Sequence, residues 1–369
     1  MVLKMREGFE ELTVAIDVRS ITEKPAGIGV YVKNLVSSLA EKNNLFIYLF
    51  CLKSTPRSEI NNVEWIELPD GVFFYLSALR KIRSLKIDVF HSPFSGLIPL
   101  FLGKKSVITV HDLIPQLFPK TSTLSSRLSF FVTRIAAKRA GALIAVSNST
   151  SQDIKSNWKT NSPIFVTRPG ISRLANSVEK NIVSDIGGYF LTVSTLEPRK
   201  NLGVLILAYL RALKENENIP DLYICGGGGW KGEKERLRKL AMPSNGKIIF
   251  LGYVPDEELI GLLKNCRAFF FPSLYEGVGV PPMEAALAGS PVICSNIPSL
   301  RELLHGIAFL IDPEDIHSWE KALISATNNP EWLRQLSTNN EVLSPISYSE
   351  TASETFNVYV STKNQLNTK

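Results

Sequence analysis

The chain has 369 residues, 44% hydrophobic and 21% charged, with a formal net charge of +6. That length exceeds what one core supports, so two domains are expected, and the composition excludes disordered and fibrous chains. Cys51, Cys225, Cys266 and Cys294 lie far apart with no C-x-x-C pair, which excludes a zinc knuckle or disulfide framework and reads as buried thiols in a reducing cytosol.

The first residues, MVLKMREGFEEL, carry too many charges for a signal peptide, and no window holds the roughly 18 apolar residues of a membrane-spanning helix. Charge is uneven: through Ala175 there are 23 Lys and Arg against 13 Asp and Glu, net +10, and the remainder is net −4. The first half therefore faces something anionic, a nucleic acid or an acidic membrane, or else carries solvated helix faces.

In chain order, TVAIDV (13–18), LFIYLFCL (45–52), VEWIEL, IDVFHS, SVITVHD, ALIAVS and IFVTRPG are apolar runs rich in β-branched and aromatic residues, with helical stretches between them. They predict seven strands of a parallel sheet built from βαβ units. After the first strand, Gly27 and Gly29 precede a helix with apolar residues at Val32, Leu35, Val36 and Leu39. His91 and the pair His111-Asp112 close strands, positions from which a side chain enters a ligand crevice; His91 reads as a supporting residue. Val72 to Lys86 and Leu124 to Arg139 combine large apolar residues with several cations. Either their apolar faces pack on the sheet with a basic outer face, the favoured reading, or they lie on an anionic bilayer.

Apolar rhythm is lost in Ser172 to Gly188, where a linker is placed. A second series follows: YFLTVST, LYICGGGG, IIFLGYV, AFFFPS, PVICSN and AFLIDP. Within it, STLEPRKN (194–201) leaves a strand and enters a helix, so Arg199 and Lys200 stand at a helix entrance, a bidentate fork and a compact charge suited to a diphosphate. The Gly226 to Gly229 run lacks the G-K-[ST] ending of a phosphate loop and reads as a flexible strand-to-helix connection. FFFPSLYEGVGVPPMEAALAGSP (269–291) reads as a buried strand, a glycine turn and a helix starting near Pro281. There Gly277 and Gly279 allow close backbone approach, and the helix N-terminus favours phosphate. Glu276 and Glu284 bracket that turn and suit the hydroxyls of a sugar and a ribose. After Ile346 comes a terminal helix. His305 and His317 lie in ordinary helix or loop contexts.

Two tandem doubly wound sheets place ligands at the carboxyl ends of their strands, in the cleft between the domains. The expected divisions are 1–180, an acceptor-side domain; 181–345, a donor-binding domain; and 346–369, the terminal helix returning toward the first domain.

E-G-V-G-V-P-P-M-E resembles the E-x7-E signature of glycosyltransferase family 4, retaining enzymes of the GT-B fold. GIGVYVKNLVSSLA, the HD pair, STLEPRKN and FLGYVPDEEL agree with it in order and spacing, so the likeness covers nearly the whole chain. It implies that Glu276 and Glu284 hold the donor sugar and the nucleotide ribose. It implies too that the Gly277, Val278, Gly279 and Val280 amides hold the diphosphate together with Arg199 and Lys200. By the same resemblance His111 contacts the donor sugar near the reacting carbon, Gly29 approaches the phosphate or the acceptor, and the Val254 backbone contacts the base. The family often has Arg where this chain has Thr195.

STLEPRKN and HSP resemble mannosyl- and related hexosyltransferases of polysaccharide and O-antigen assembly. The expected reaction is therefore retaining transfer of a hexose from a nucleotide sugar, GDP-mannose first and a UDP- or dTDP-sugar next, to a saccharide acceptor, lipid-linked at the cytoplasmic membrane face. Neither a cofactor nor a metal is expected, because no D-x-D-like cluster stands where an ion would bridge the diphosphate. A nucleic-acid partner is not expected, since the aromatics fall in buried strands rather than on stacking platforms. The alternatives are a sugar-nucleotide epimerase of the same architecture and a non-catalytic nucleotide-sugar-binding protein.

Overall fold

In the computed structural model, residues 11–23, 25, 27–171, 188–230, 232–338 and 346–367 are described. They group into two compact units. The first holds the residues up to Leu117, Ser122–Gly170 and those from Ile346 onward; the second holds Phe118–Thr121 and those from Ile171 to Thr338. The linker expected at Ser172 to Gly188 lies outside the described residues except for Gly188.

The first unit runs β1 (Leu12–Asp17), α1 (Ile28–Leu39), β2 (Leu45–Cys51), β3 (Val63–Glu67), α2 (Val72–Ser84), β4 (Val89–Ser92), α3 (Leu97–Leu102), β5 (Ser106–Val110), α4 (Ile114–Leu117), α5 (Leu124–Ala137), β6 (Ala142–Ala145), α6 (Asn148–Asn157) and β7 (Ile164–Val166). Its sheet has the order β3-β2-β1-β4-β5-β6-β7, every pairing parallel. Alternation along each strand feeds both faces, as a parallel sheet covered by helices requires. Val14 and Ile16 of β1 join α1 in one core, whereas Ala15 joins Phe74, Ala78 and Ile82 of α2 on the other side.

The second unit runs β8 (Tyr189–Val193), α7 (Leu202–Glu215), β9 (Asp221–Cys225), α8 (Glu233–Ala241), β10 (Ile248–Gly252), α9 (Asp256–Asn265), β11 (Ala268–Phe271), α10 (Val280–Leu287), β12 (Val292–Ser295), α11 (Pro298–Leu304), β13 (Phe309–Ile311), α12 (Ile316–Asn328) and α13 (Pro330–Thr338). Its all-parallel order, β10-β9-β8-β11-β12-β13, repeats the arrangement of the first unit. The phenylalanine run of β11 shows why: Phe270 packs with α7 and α12 on one face, and Phe269 and Phe271 pack with α9 and α10 on the other. The last helix, α14 (Tyr348–Asn367), belongs to the first unit, where Ala352, Val358 and Tyr359 share a core with α1 and β1.

Three local expectations change. Gly29 does not precede α1 but lies in its first turn, because Gly27 caps that helix at φ +48°, and a Cβ on Gly29 would sit 2.4 Å from the Ser20 carbonyl oxygen. The Gly226 to Gly229 run is not a loose connection: a Cβ on Gly226 would sit 1.9 Å from the Ser194 carbonyl oxygen and one on Gly229 2.2 Å from that of Leu196. Those glycines let two loop backbones touch. Third, α5 turns small residues to its sheet. Thr133, Ala136 and Ala137 are buried, whereas Leu124, Leu128 and Phe131 are exposed.

Candidate active site

In each sheet the chain reverses its direction of progress at one point, between β1 and β4 in the first unit and between β8 and β11 in the second. Loops leaving the carboxyl ends of those neighbouring strands diverge to opposite faces and open a crevice where α/β proteins bind ligands. The sequence motifs fall on those loops.

In the second unit, Ser194–Asn201 leaves β8 for α7, and Pro272–Gly279 leaves β11 for α10. The Leu274 N–H donates to the Arg199 carbonyl at 2.8 Å, which ties the loops together. Pro198–Lys200 forms a 3-10 turn ended by Asn201 in the left-handed region at φ +57°, a conformation asparagine tolerates better than most residues. That turn aims both cations at Glu276. Lys200 Nζ donates to Glu276 Oε1 at 2.6 Å and the Arg199 guanidinium to Oε2 at 3.3 Å, while the Ser273 hydroxyl also donates to Oε1 at 2.6 Å. On the other side Glu197 accepts from Arg199 Nε at 2.8 Å and from the Thr195 hydroxyl at 2.9 Å.

Burial acts on both members of the Lys200–Glu276 pair. It would raise the Glu276 carboxyl, but Lys200 and then Arg199 outweigh it and hold the group below the usual carboxylate range. Burial lowers the Lys200 ammonium below its ordinary value, opposed by the charge of Glu276. The cluster joins two cations to two carboxylates through charge-assisted bonds, the strong kind. A ligand phosphate or hydroxyl entering here meets side chains already held in place.

The second half of the motif is a helix mouth. Gly279 caps α10 at φ +102°, and a Cβ there would lie 2.2 Å from Leu300 Cδ2, so only glycine fits. Pro281 and Pro282 bring no N–H, and the Met283 N–H reaches back to the Gly279 carbonyl. The amides of Val278, Gly279 and Val280 therefore form the amino end of α10, where partial positive charge favours an anion. Glu284 lies one turn further on, 3% exposed. Val254 sits in the loop between β10 and α9, its side chain packed against the core shared by α9 and α10.

In the first unit His111 follows β5. Its Nε2 lies 2.9 Å from the Pro93 carbonyl, so Nε2 carries the proton and Nδ1 the lone pair. Burial lowers its pKa to about 4, only partly opposed by that carbonyl, and the ring is neutral near pH 7. Tyr31 of α1 meets the imidazole edge to face at 4.9 Å, joining the helix that carries Gly29 to the histidine. Behind it His91 is fully buried, with Nδ1 2.6 Å from the Tyr359 hydroxyl and Nε2 2.8 Å from that of Thr109. Both ring nitrogens are engaged within the protein, which makes His91 a positioning residue. Asp112 turns its carboxylate to the Ile114 N–H and starts α4.

The structure thus brings Arg199, Lys200 and Glu276 into direct contact, and Glu276 leads straight into the Gly277–Val280 turn and Glu284. Val254 shares that unit without touching the ion cluster, and His111 and Gly29 belong to the other unit. Glu197 and Ser273 complete the cluster and were not singled out in the sequence; Glu197 lies inside STLEPRKN, and Ser273 stands three residues before Glu276. For Tyr359, 268 residues from His91, no local signal exists.

Two parallel α/β units, one with a cation and carboxylate cluster beside a glycine-capped helix mouth at its switch point, place the chain in the class of proteins built on tandem Rossmann-like sheets. The comparisons narrow this class. Residues 25–173 match the family described as Glycosyltransferase Family 4, and residues 178–342 match Glycosyl transferases group 1. The chain belongs to these glycosyltransferases, of GT-B fold.

O-antigen chain mannosyltransferase B of Escherichia coli is 35% identical over 47% of this chain and 45% of its own length. O-antigen chain mannosyltransferase RfbU of Salmonella typhimurium is 28% identical over 70% of this chain and 71% of its own. The chain spans less than half the length of the first of these relatives and 30% of the serotype-specific mannosyltransferase WbdA of Escherichia coli. Among solved structures, sucrose-phosphate synthase from Thermosynechococcus elongatus superposes with a TM-score of 0.78 at 18% identity, over 97% of this chain and all of that one. WaaG, a glycosyltransferase involved in lipopolysaccharide biosynthesis, does so at 0.68 and 17%, over 95% of this chain and 98% of its own.

Proposed function

We propose that the chain transfers a hexose from a nucleotide sugar to a saccharide acceptor, with retention of configuration and without a metal. The observation that carries this reading is the Arg199–Lys200–Glu276 cluster beside the Gly279-capped mouth of α10. It supplies cations and amides for a diphosphate next to a carboxylate for sugar hydroxyls. Arg199, Lys200 and the α10 N-terminus stabilise negative charge as it grows on the leaving phosphate, the role a divalent ion would otherwise fill. Glu284 takes the ribose, the Val254 backbone the base, and neutral His111 offers Nδ1 as an acceptor to a donor-sugar hydroxyl, with Gly29 giving close approach at the start of α1. The leaving phosphate oxygen takes the acceptor proton on the face that the new bond occupies, so no separate base is needed.

GDP-mannose is the donor this reading favours, supported by the mannosyltransferase relatives, and a UDP- or dTDP-sugar is next. The acceptor is lipid-linked, presented at an anionic cytoplasmic membrane surface; the exposed Arg80, Lys81, Arg83 and Lys86 favour this. A thermal-shift screen of GDP, UDP, ADP and dTDP identifies the nucleotide, since a ligand at about a hundred times its dissociation constant stabilises the fold by about 2.7 kcal/mol. Product anomer and chelator then test the mechanism. No shift with any of the four, an inverted anomer, or activity abolished by chelator and restored by Mg²⁺ refutes the corresponding part.

A further inference from the structure

An amphipathic helix packed on a sheet ordinarily turns its large apolar residues inward, and α5 does the reverse. Thr133, Ala136 and Ala137 face the sheet, while Leu124, Leu128, Phe131 and Ile135 are 80%, 65%, 55% and 37% exposed. Steps of four, three and four residues put them in one stripe. Close packing explains the small inner face: a Cβ on Gly96 would lie 2.3 Å from Thr133 Cα, so α3 presses backbone to backbone on α5.

The stripe has neighbours of the same kind. On α2, Phe74, Ala78 and Ile82 point inward while Val72, Phe73 and Leu76 are 72%, 69% and 50% exposed, and Phe101 of α3 is 67% exposed. α3 packs against both α2 and α5, on the sheet face opposite α1 and α14. Cations accompany the stripe: Arg80, Lys81, Arg83 and Lys86 on and just after α2, Arg127 in the first turn of α5, and Lys138 and Arg139 just past its last turn, all exposed. Neither Val72 to Lys86 nor Leu124 to Arg139 contains an acidic residue. An apolar surface of this extent marks an interaction site.

We infer that the α2–α3–α5 face lies on an anionic lipid bilayer, with the α5 stripe inserted between the headgroups and the cations on the lipid phosphates. Charge selects this occupant. A second copy docking face to face would set cations against cations, because a two-fold interface meets itself, whereas an anionic leaflet neutralises them. No described helix is long and apolar enough to cross the membrane, so the contact is a resting one. The inference rests on the membrane-side acceptor reading above and adds a hydrophobic component that charge alone does not give.

Flotation with phosphatidylethanolamine vesicles containing about one-quarter phosphatidylglycerol separates the two components, because at about 0.5 M salt exposed charges are screened within a few ångströms. The expected result is binding at low salt of which a share survives high salt. Leu128→Gln with Phe131→Gln removes that share and weakens binding about a hundredfold, the loss expected for two withdrawn side chains, at an unchanged melting temperature because neither side chain is in the core. Arg80→Glu with Arg83→Glu removes the salt-sensitive share instead. Complete release by salt, with the double glutamine variant floating like wild type, overturns the insertion and leaves attachment by charge. Absence of binding at low salt overturns both readings. A solution dimer that the double variant dissociates, without vesicle binding, overturns the inference in favour of a second copy.

Discussion

Acidification is expected to destabilise the first unit well above the pH at which carboxylates titrate. His91 is fully buried, and burial, with a smaller contribution from the nearby His111, lowers its pKa to about 3; His111 is lowered to about 4. Both are depressed below the unfolded value of 6.5, so both are neutral in the folded state and take up protons only on unfolding. The stability this gives is complete above the unfolded pKa and is lost as pH falls toward the folded one. At pH 5 the unfolded imidazole lies 1.5 units below its pKa, so His91 alone costs about 2 kcal/mol, and a slope of about 1.4 kcal/mol per pH unit marks one proton. Partly exposed His111 adds less. The assay is urea unfolding between pH 7.5 and 5, followed by the near-ultraviolet signal of Trp158, which packs in the first unit on Phe130. His91→Gln should be less stable at pH 7.5 but lose about one proton from the slope. A flat wild-type profile, or a variant slope equal to wild type, refutes the burial argument.

Lys200→Ala leaves Glu276 with Ser273 and the longer Arg199 contact, so donor-nucleotide binding should weaken about ten- to a hundredfold by calorimetry, the loss of one charge-assisted contact. Glu276→Gln should lower turnover, and wild-type kinetics in both variants would remove the cluster from the site. Gly279→Ala sets a Cβ against Leu300 at φ +102°, so both strain and clash oppose it; a cost of about 1–3 kcal/mol and loss of nucleotide binding are expected in melting and binding assays. Because His111 is neutral with a pKa near 4, kcat/KM should show no limb around pH 6.5 that His111→Gln removes. Tyr359→Phe breaks the 2.6 Å bond to His91 and should raise KM or lower kcat only through His111, with no change in nucleotide affinity for the second unit; an equal loss of that affinity refutes this local role.

The strands, and the loops on which the motifs fall, are legible in the chain's own pattern. Runs such as AFFF and ALIA, apolar on both sides of the strand, read as buried parallel strands because each is short and is followed by turn residues and a helix. Parallel order then puts every strand's carboxyl end at one edge, so STLEPRKN and EGVGVPP had to reach it. Gly279 stands out in the sequence as a point of close backbone approach, but the structure requires glycine there for another reason, a φ of +102° and Leu300 Cδ2 2.2 Å from where a Cβ would sit.

Other features depend on long-range contacts, which no local pattern sets. Arg199 and Lys200 read from the sequence as diphosphate ligands; their common partner Glu276, 77 and 76 residues away, appears only when the loops after β8 and β11 stand side by side. The partners of His91 lie on β5 and on a helix at the far end of the chain, and they turn a strand-end histidine into a buried support. The direction of the α5 stripe was likewise undetermined, because a helix with apolar residues on two sides has no single preferred face. The close approach of Gly96 to Thr133 resolves it: the small side fits against α3 and the sheet, and the large side faces outward.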